Sequence, residues 1–211
     1  ALLSITSLMA QDLQDDWTHS AGTLEGFLPG NKYYTLVTDA NLREKPGTQS
    51  NVLTKLPIGT QVTVEEVTTD SFMLRGVKMP WLKVRCQPAG AATVSGYIWA
   101  GFMALAYIQT PDEEYALNRG VLYLTGVAAY NEATHQLTVQ VRIALAGKEL
   151  SKAEFTTGGD IFYYPEFTLH FEPFNKVKAV LSVNYAFPAC GYVSGDNLLF
   201  WQENNQLIKV L

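Results

Sequence analysis

The chain contains little charge, few cysteines and no long apolar run. Charged residues make up 17% of its 211 residues, and the net charge is −5. Lys and Arg do not cluster, so the concentrated positive charge that binds nucleic-acid phosphates is missing, and we predict no nucleic-acid partner. No segment reaches the roughly 20 apolar residues of a membrane-spanning helix. With 47% hydrophobic residues, the composition is typical of a globular chain that buries a core.

Residues that perform catalysis or bind metals are also scarce. The three His and two Cys lack the His-x-x-x-His or Cys-x-x-Cys spacing of metal sites. Cys86 has no His nearby in sequence, and Cys190 precedes a Gly-rich turn rather than the helix start that activates a thiolate. There is no Gly-x-Ser-x-Gly elbow. We therefore expect no enzyme, no catalytic residue, no metal site and no cofactor.

The two cysteines allow two interpretations. In an oxidising compartment Cys86 and Cys190 could pair and close a loop of about 105 residues. The alternative is two buried thiols that behave as small apolar residues. Because a bond requires the two Cα atoms to lie within about 7 Å, and the cysteines belong to different predicted domains, we predict free thiols.

Residues 1–10 are apolar, contain small hydroxyl residues and carry no charge. This composition is typical of the end of a secretory signal, with Ala10 before Gln11 as the cleavage point. An amphipathic helix is the alternative, because Leu2, Ile5 and Met9 fall near one helical face. We predict a signal remnant and N-terminal segment over residues 1–32, and hence export to the periplasm or the extracellular space.

A β pattern fills most of the remaining chain. From 33 to 105, short alternating strands are separated by turn residues every eight to twelve positions, which predicts a small closed barrel. Four motifs occur there in order: Ala40-Asn41-Leu42-Arg43, Leu56-Pro57-Ile58-Gly59, Trp81-Leu82-Lys83-Val84 and Gly96-Tyr97-Ile98.

These motifs resemble the bacterial SH3 domain over about a third of the chain. Lys45-Pro46 stands where that family usually has Gly-Pro, and Tyr97 replaces the usual Trp. Segments 69–80 and 87–94 are predicted to be loops longer than the family needs. The resemblance implies an SH3-like barrel that binds peptide or cell-wall ligands.

The pattern of the second half of the chain predicts an antiparallel β-sandwich over residues 121–211. A connector over residues 106–120 precedes it, with a short helix predicted to start at Pro111. Residues 136–144 alternate apolar and polar side chains, 131–134 predict a hairpin loop, and Asn204-Asn205 predicts another. The ending Ala189-Cys190-Gly191-Tyr192 resembles that of uncharacterised secreted bacterial proteins with one SH3 domain.

Aromatic and basic residues supply the candidate binding site. In an SH3-like barrel the loop after Arg43 lies near the closing strand, so we predict that Arg43, Tyr97 and Trp99 contact a ligand. Alternation also allows Tyr97 and Trp99 to be core residues. Tyr163 and Tyr164 are adjacent in a predicted strand and point to opposite faces, so at least one ring is a second binding candidate. The alternative is one core ring and one incidental surface ring.

Together these patterns predict a secreted, non-enzymatic binding or adaptor protein of a bacterial envelope. Its partner would be a peptide, peptidoglycan or an envelope protein. One alternative is a subunit of an envelope complex that uses the aromatic sandwich as its interface. The other is a cryptic cell-wall hydrolase.

Overall fold

The computed structural model describes residues 27–88, 92–112, 118–158, 164–170, 176–186 and 197–210. The regular structure in these ranges is β-strand, except for one 3-10 turn at Ala100–Phe102. The predicted all-β class is therefore confirmed. The predicted signal remnant, residues 1–10, lies outside the described residues.

The first half of the chain forms one curled, antiparallel six-stranded sheet. Its interior contains Leu42, Val64, Leu82 and Ile98, all fully buried. These inward-facing residues alternate with outward-facing ones along their strands, so one face of the sheet closes around the core. The spatial order is β1-β4-β5-β6-β2-β3. The strands are β1 Lys32–Tyr34, β2 Ala40–Arg43, β3 Val52–Leu56, β4 Gln61–Leu74, β5 Val77–Cys86 and β6 Val94–Trp99.

The second half forms two four-stranded antiparallel sheets with a shared core. Val139 and Val141 of one sheet pack with Leu181 and Leu199 of the other, and all four are fully buried. This packing is a β-sandwich, as predicted. The sheet orders are β10-β9-β8-β7 and β11-β12-β13-β14. The strands are β7 Ala106–Gln109, β8 Leu122–Asn131, β9 Gln136–Leu145, β10 Lys148–Gly158, β11 Tyr164–His170, β12 Val177–Ala186, β13 Asn197–Gln202 and β14 Leu207–Lys209.

Both hairpins predicted from asparagine residues are present. The Asn131 side-chain oxygen accepts hydrogen bonds from the backbone N–H groups of Ala133 (3.0 Å) and Thr134 (3.3 Å), which closes the β8–β9 loop. Asn205 adopts the left-handed conformation, with φ 62°, between β13 and β14. Asn tolerates this conformation better than most residues, so the position of Asn205 determines where the hairpin turn forms.

Two predicted irregular segments are strands instead. Residues 106–109, assigned to the connector, form β7 at the edge of the sandwich, where Ala106 and Ile108 are buried. Segment 69–80, predicted as a long loop, is the far end of the β4–β5 hairpin, which we call the arm. Its turn residues Arg75 and Gly76 have φ values of 51° and 78°. Two successive positive φ values are typical of the type I′ hairpin turn, which Arg-Gly does not signal strongly in sequence.

The tip of the arm is fixed to the sandwich. The backbone N–H of Tyr130 in β8 donates a 2.9 Å hydrogen bond to the Arg75 carbonyl oxygen. Gly76 lies so close that a Cβ atom there would be 2.0 Å from the Tyr130 carbonyl oxygen. Only glycine fits at this approach, so the arm is shaped to pack on β8.

A second contact joins the two halves through a buried cluster. Leu36 and Ile58 of the barrel pack with Leu122 and Leu124 of β8, and Leu122 is the most exposed of the four at 8%. The backbone N–H of Leu105 also donates to the Thr125 carbonyl oxygen at 2.9 Å. The barrel and the sandwich therefore share a continuous apolar interface in addition to the arm.

Candidate functional site

Arg43 and Tyr97 lie together on the outer face of the barrel. Arg43 ends β2 and is directly opposite Tyr97 of β6, which in turn is opposite Lys83 of β5. Directly opposed residues share one face of a sheet. Arg43 and Tyr97 are both half-buried, so part of each side chain is accessible. The structure therefore brings these two predicted site residues into one surface.

The loop after Arg43 is closed by its own hydrogen bonds. The Arg43 Nη1 donates to the Ser50 carbonyl oxygen at 2.5 Å, and the Lys45 N–H donates to the Ser50 hydroxyl at 2.9 Å. The Glu44 N–H donates to the Asn51 carbonyl oxygen at 3.0 Å. These bonds hold the Arg43 side chain at the base of the loop, and its other N–H groups remain for further partners.

Gly96 allows β6 to approach β2 at this point. A Cβ atom on Gly96 would lie 2.7 Å from the Arg43 carbonyl oxygen and 2.9 Å from the Leu42 side chain. A glycine inside a strand often marks such a close backbone approach. The glycine beside Tyr97 is thus what permits the pairing of Arg43 with Tyr97.

Trp99, the third predicted residue, occupies a different environment. It is only 5% exposed, and the arm covers it. Its indole N–H donates to the carbonyl oxygens of Phe72 (3.0 Å) and Met79 (3.1 Å). Its ring makes edge contacts with Phe72 and Phe102, with centroids 5.9 and 5.1 Å apart. This indole is fully engaged within the protein, so the accessible part of the predicted barrel site reduces to Arg43 and Tyr97.

The second predicted pair falls at the margin of the described chain. Tyr163 lies outside the described residues. Tyr164 begins β11, where its backbone pairs with Ala186 of β12, and its side chain is not described. Their role stays a prediction.

Sequence reasoning missed the charged neighbours of Tyr97. Lys83 and Arg85 alternate along β5 and lie on the same outer face, opposite Tyr97 and Ser95 respectively. The carboxylate of Glu65 lies beside both cations, 4.0 Å from Lys83 and 3.7 Å from Arg85. The alternation in Trp81-Leu82-Lys83-Val84-Arg85 contained this signal, because it places the two basic side chains on one side of the strand.

Cys86 is a free thiol at the end of β5 and is only 4% exposed. Burial raises the pKa of this thiol, so the thiolate form is disfavoured. Cys190 lies outside the described residues. Within the described ranges, no group of three or more His, Cys, Asp or Glu side chains is arranged to hold a metal ion. The same part of the chain contains no helix of the length and apolarity needed to cross a membrane.

Comparison with known proteins identifies the class of the first half. Residues 38–104 match the family model described as Bacterial SH3 domain. The match covers β2 to β6, and with them Arg43 and Tyr97. This chain therefore carries a bacterial SH3 domain, as its motifs predicted. Neither the curated proteins nor the solved structures include one that matches the chain.

Proposed function

We propose that this chain is an exported, non-enzymatic binding protein of a bacterial envelope, and that its SH3 domain binds a peptide or cell-wall ligand. The observation that carries the proposal is the bacterial SH3 domain at residues 38–104. Domains of this family in general bind peptides or cell-wall material, and this suggests the same kind of ligand here. The apolar character of residues 1–10 motivates export.

The accessible pair Arg43 and Tyr97 supports a binding role for the barrel. A guanidinium with several N–H donors lies beside a half-exposed phenol ring, and these are two groups that recur in recognition sites. The loop bonds to Ser50 and Asn51 hold this surface in place through contacts within the chain itself. A preformed surface loses less entropy when it binds.

Binding is tested by sedimentation of the purified chain with purified cell walls. We expect the chain to pellet with the walls, and Arg43→Ala and Tyr97→Ala to reduce the pelleted fraction while remaining folded. Met73→Ala is the matched control, because Met73 is 60% exposed on the arm and lies outside this surface. A wild-type chain that stays in the supernatant would contradict the proposal.

The absence of enzymatic activity is part of the proposal. Cys86 is a poor nucleophile, since its thiol is buried and its pKa is raised. Incubation with purified peptidoglycan should release no soluble fragments. Fragments that appear with the wild-type chain, and that no contaminating hydrolase explains, would support the alternative of a cryptic hydrolase.

The alternative of an aromatic interface has less support. Of the described aromatic residues of the sandwich, Tyr123, Phe155 and Trp201 are buried, at 0%, 8% and 2% exposure, whereas Tyr107, Tyr130 and Phe200 are half-buried. The three buried residues belong to the shared core of the two sheets. The largest aromatic side chains of this core are therefore not accessible to a partner, and we favour the barrel as the binding element.

A further inference from the structure

We propose that the ligand of the SH3 domain is a peptide with a free carboxylate, and that this carboxylate binds the basic face. We define the basic face as Arg43, Lys83 and Arg85 around the ring of Tyr97. This inference rests on the proposed function and specifies its ligand. Three observations support it: the strand register, the contacts of Glu65 and the local charge.

The register places the four side chains on one surface. Arg43, Tyr97 and Lys83 form a row across β2, β6 and β5. Arg85 lies two residues beyond Lys83 on β5 and therefore on the same face. The side chains of Lys83 and Arg85 are 41% and 58% exposed, whereas Trp81 and Trp99 further along the same face are buried, and the arm packs over Trp99. The arm thus covers one end of this face and leaves the basic end open.

One carboxylate of the chain already occupies a position on this face. Glu65 accepts a 2.9 Å hydrogen bond from the Ser95 hydroxyl, and its oxygens lie 4.0 Å from Lys83 Nζ and 3.7 Å from Arg85 Nε. The two ionic contacts are long and solvent-exposed, so they satisfy the cations only weakly. The contacts of Glu65 therefore show which groups of this face bind a carboxylate. Glu65 competes with a ligand carboxylate for these same groups.

The charge of the surrounding sheet favours an anion. Lys55 of β3 is opposite Asn41, which lies two residues before Arg43, so it adds a fourth cation to this face. The acids that oppose these cations are Glu65 and Glu66, the latter opposite Lys83. The face is thus net positive in a chain whose net charge is −5. An exposed positive surface on an acidic protein attracts anionic groups preferentially.

The ring of Tyr97 distinguishes a peptide from a purely charged polymer. It lies between Arg43 and Lys83 and offers apolar surface directly beside two cations. A peptide whose C-terminal residue is apolar presents a carboxylate next to an apolar side chain and matches this arrangement. A phosphate polymer would use the cations and leave the ring without a partner.

The test measures binding of the full chain to peptides released from purified peptidoglycan by an amidase. The same peptides with methyl-esterified carboxylates, the remaining glycan strands and a wall phosphate polymer serve as competing probes. We expect the free peptides to bind and the esterified peptides to bind much more weakly. Lys83→Gln and Arg85→Gln should each weaken binding by about two- to fivefold, the size typical of an exposed ion pair.

Glu65→Gln gives the most specific test, because removing the competing carboxylate should tighten binding of the free peptides by a similar factor. Glu154→Gln and Lys148→Gln, at exposed positions of the sandwich, remove the same charges elsewhere and should leave the affinity unchanged.

The outcomes separate this inference from the proposed function. If the wild-type chain binds neither walls nor any of their fragments, the proposed function is wrong and this inference is wrong with it. If it binds walls but prefers glycan strands or the phosphate polymer, or binds esterified peptides equally well, only this inference is overturned. Unchanged or weaker binding by the Glu65→Gln variant also overturns it.

Discussion

Replacing Trp99 distinguishes a structural from a ligand-binding role for the most conspicuous aromatic residue of the barrel. The side chain is 5% exposed, and a Cβ atom on Gly101 would lie 2.3 Å from its ring. Truncating a buried Trp to Ala costs about 3–5 kcal/mol. For a chain of this size, each kcal/mol corresponds to about 2–4 °C in Tm, so Trp99→Ala should lower Tm by roughly 6–20 °C.

The milder variant Trp99→Phe isolates the hydrogen bonds. It retains an aromatic ring but removes the N–H that bonds the carbonyl oxygens of Phe72 and Met79. We expect a loss of about 1–3 kcal/mol, the cost of leaving buried acceptors without a donor. Because these carbonyls belong to opposite strands of the arm, the loss should also loosen the arm.

Thermal unfolding measures Tm and urea unfolding measures the free energy of unfolding. Both are followed by far-UV circular dichroism, since fluorescence would itself change with the loss of a Trp. Tyr97→Ala is the control on the same strand, and it should cost less stability because Tyr97 is only half-buried. The reasoning is refuted if Trp99→Ala unfolds at the wild-type midpoint yet no longer pellets with cell walls. That result would show that Trp99 contributes to binding rather than to stability.

Three further predictions follow from the packing. Gly76→Ala should destabilise the chain more than Gly30→Ala. Both residues have positive φ (78° and 88°), but only Gly76 faces a backbone atom, the Tyr130 carbonyl oxygen. Equal losses of stability in thermal unfolding would contradict the arm contact. Cys86 should react with a thiol reagent only after unfolding, because it is 4% exposed; fast labelling at Cys86 in the native chain, distinguished from Cys190 by peptide mapping, would refute this. Stability should fall above about pH 9, since burial raises the pKa of both Cys86 and Tyr123. The stabilisation from a raised pKa is present below the unfolded-state values near 8.5 and 10 and is lost as the pH rises through the folded-state values. Tyr123→Phe should reduce this loss of stability at alkaline pH. If the variant and the wild-type chain show the same dependence of stability on pH, Tyr123 does not contribute to the loss.

Local pattern determined most of the strands. Strict alternation predicted β9, in which Leu137, Val139, Val141 and Ile143 are buried at 1% or less. Asparagine predicted the turn at Asn205 through its tolerance of positive φ. These features depend on side-chain period and on the backbone preferences of single residues, both of which are encoded within a few neighbouring positions.

Tertiary structure alone decided which outer-face residues remain accessible. Tyr97 and Trp99 have the same parity in β6, so alternation places both on the outer face and cannot separate them. The arm separates them, because it packs over Trp99 through Phe72, 27 positions away in sequence, and leaves Tyr97 half-buried beside Arg43.

The sequence by itself therefore determined most of the strands, the two asparagine hairpins and the bacterial SH3 motifs, and the resemblance carried by those motifs placed Arg43 near Tyr97. It did not determine that residues 69–80 form an arm, because the Arg75–Tyr130 bond that fixes the arm joins two distant strands. It also did not reveal that Glu65 lies among Lys83, Arg85 and Ser95, since these residues belong to three strands. Alternation specifies the face of each side chain, whereas the packing of distant segments determines what covers that face.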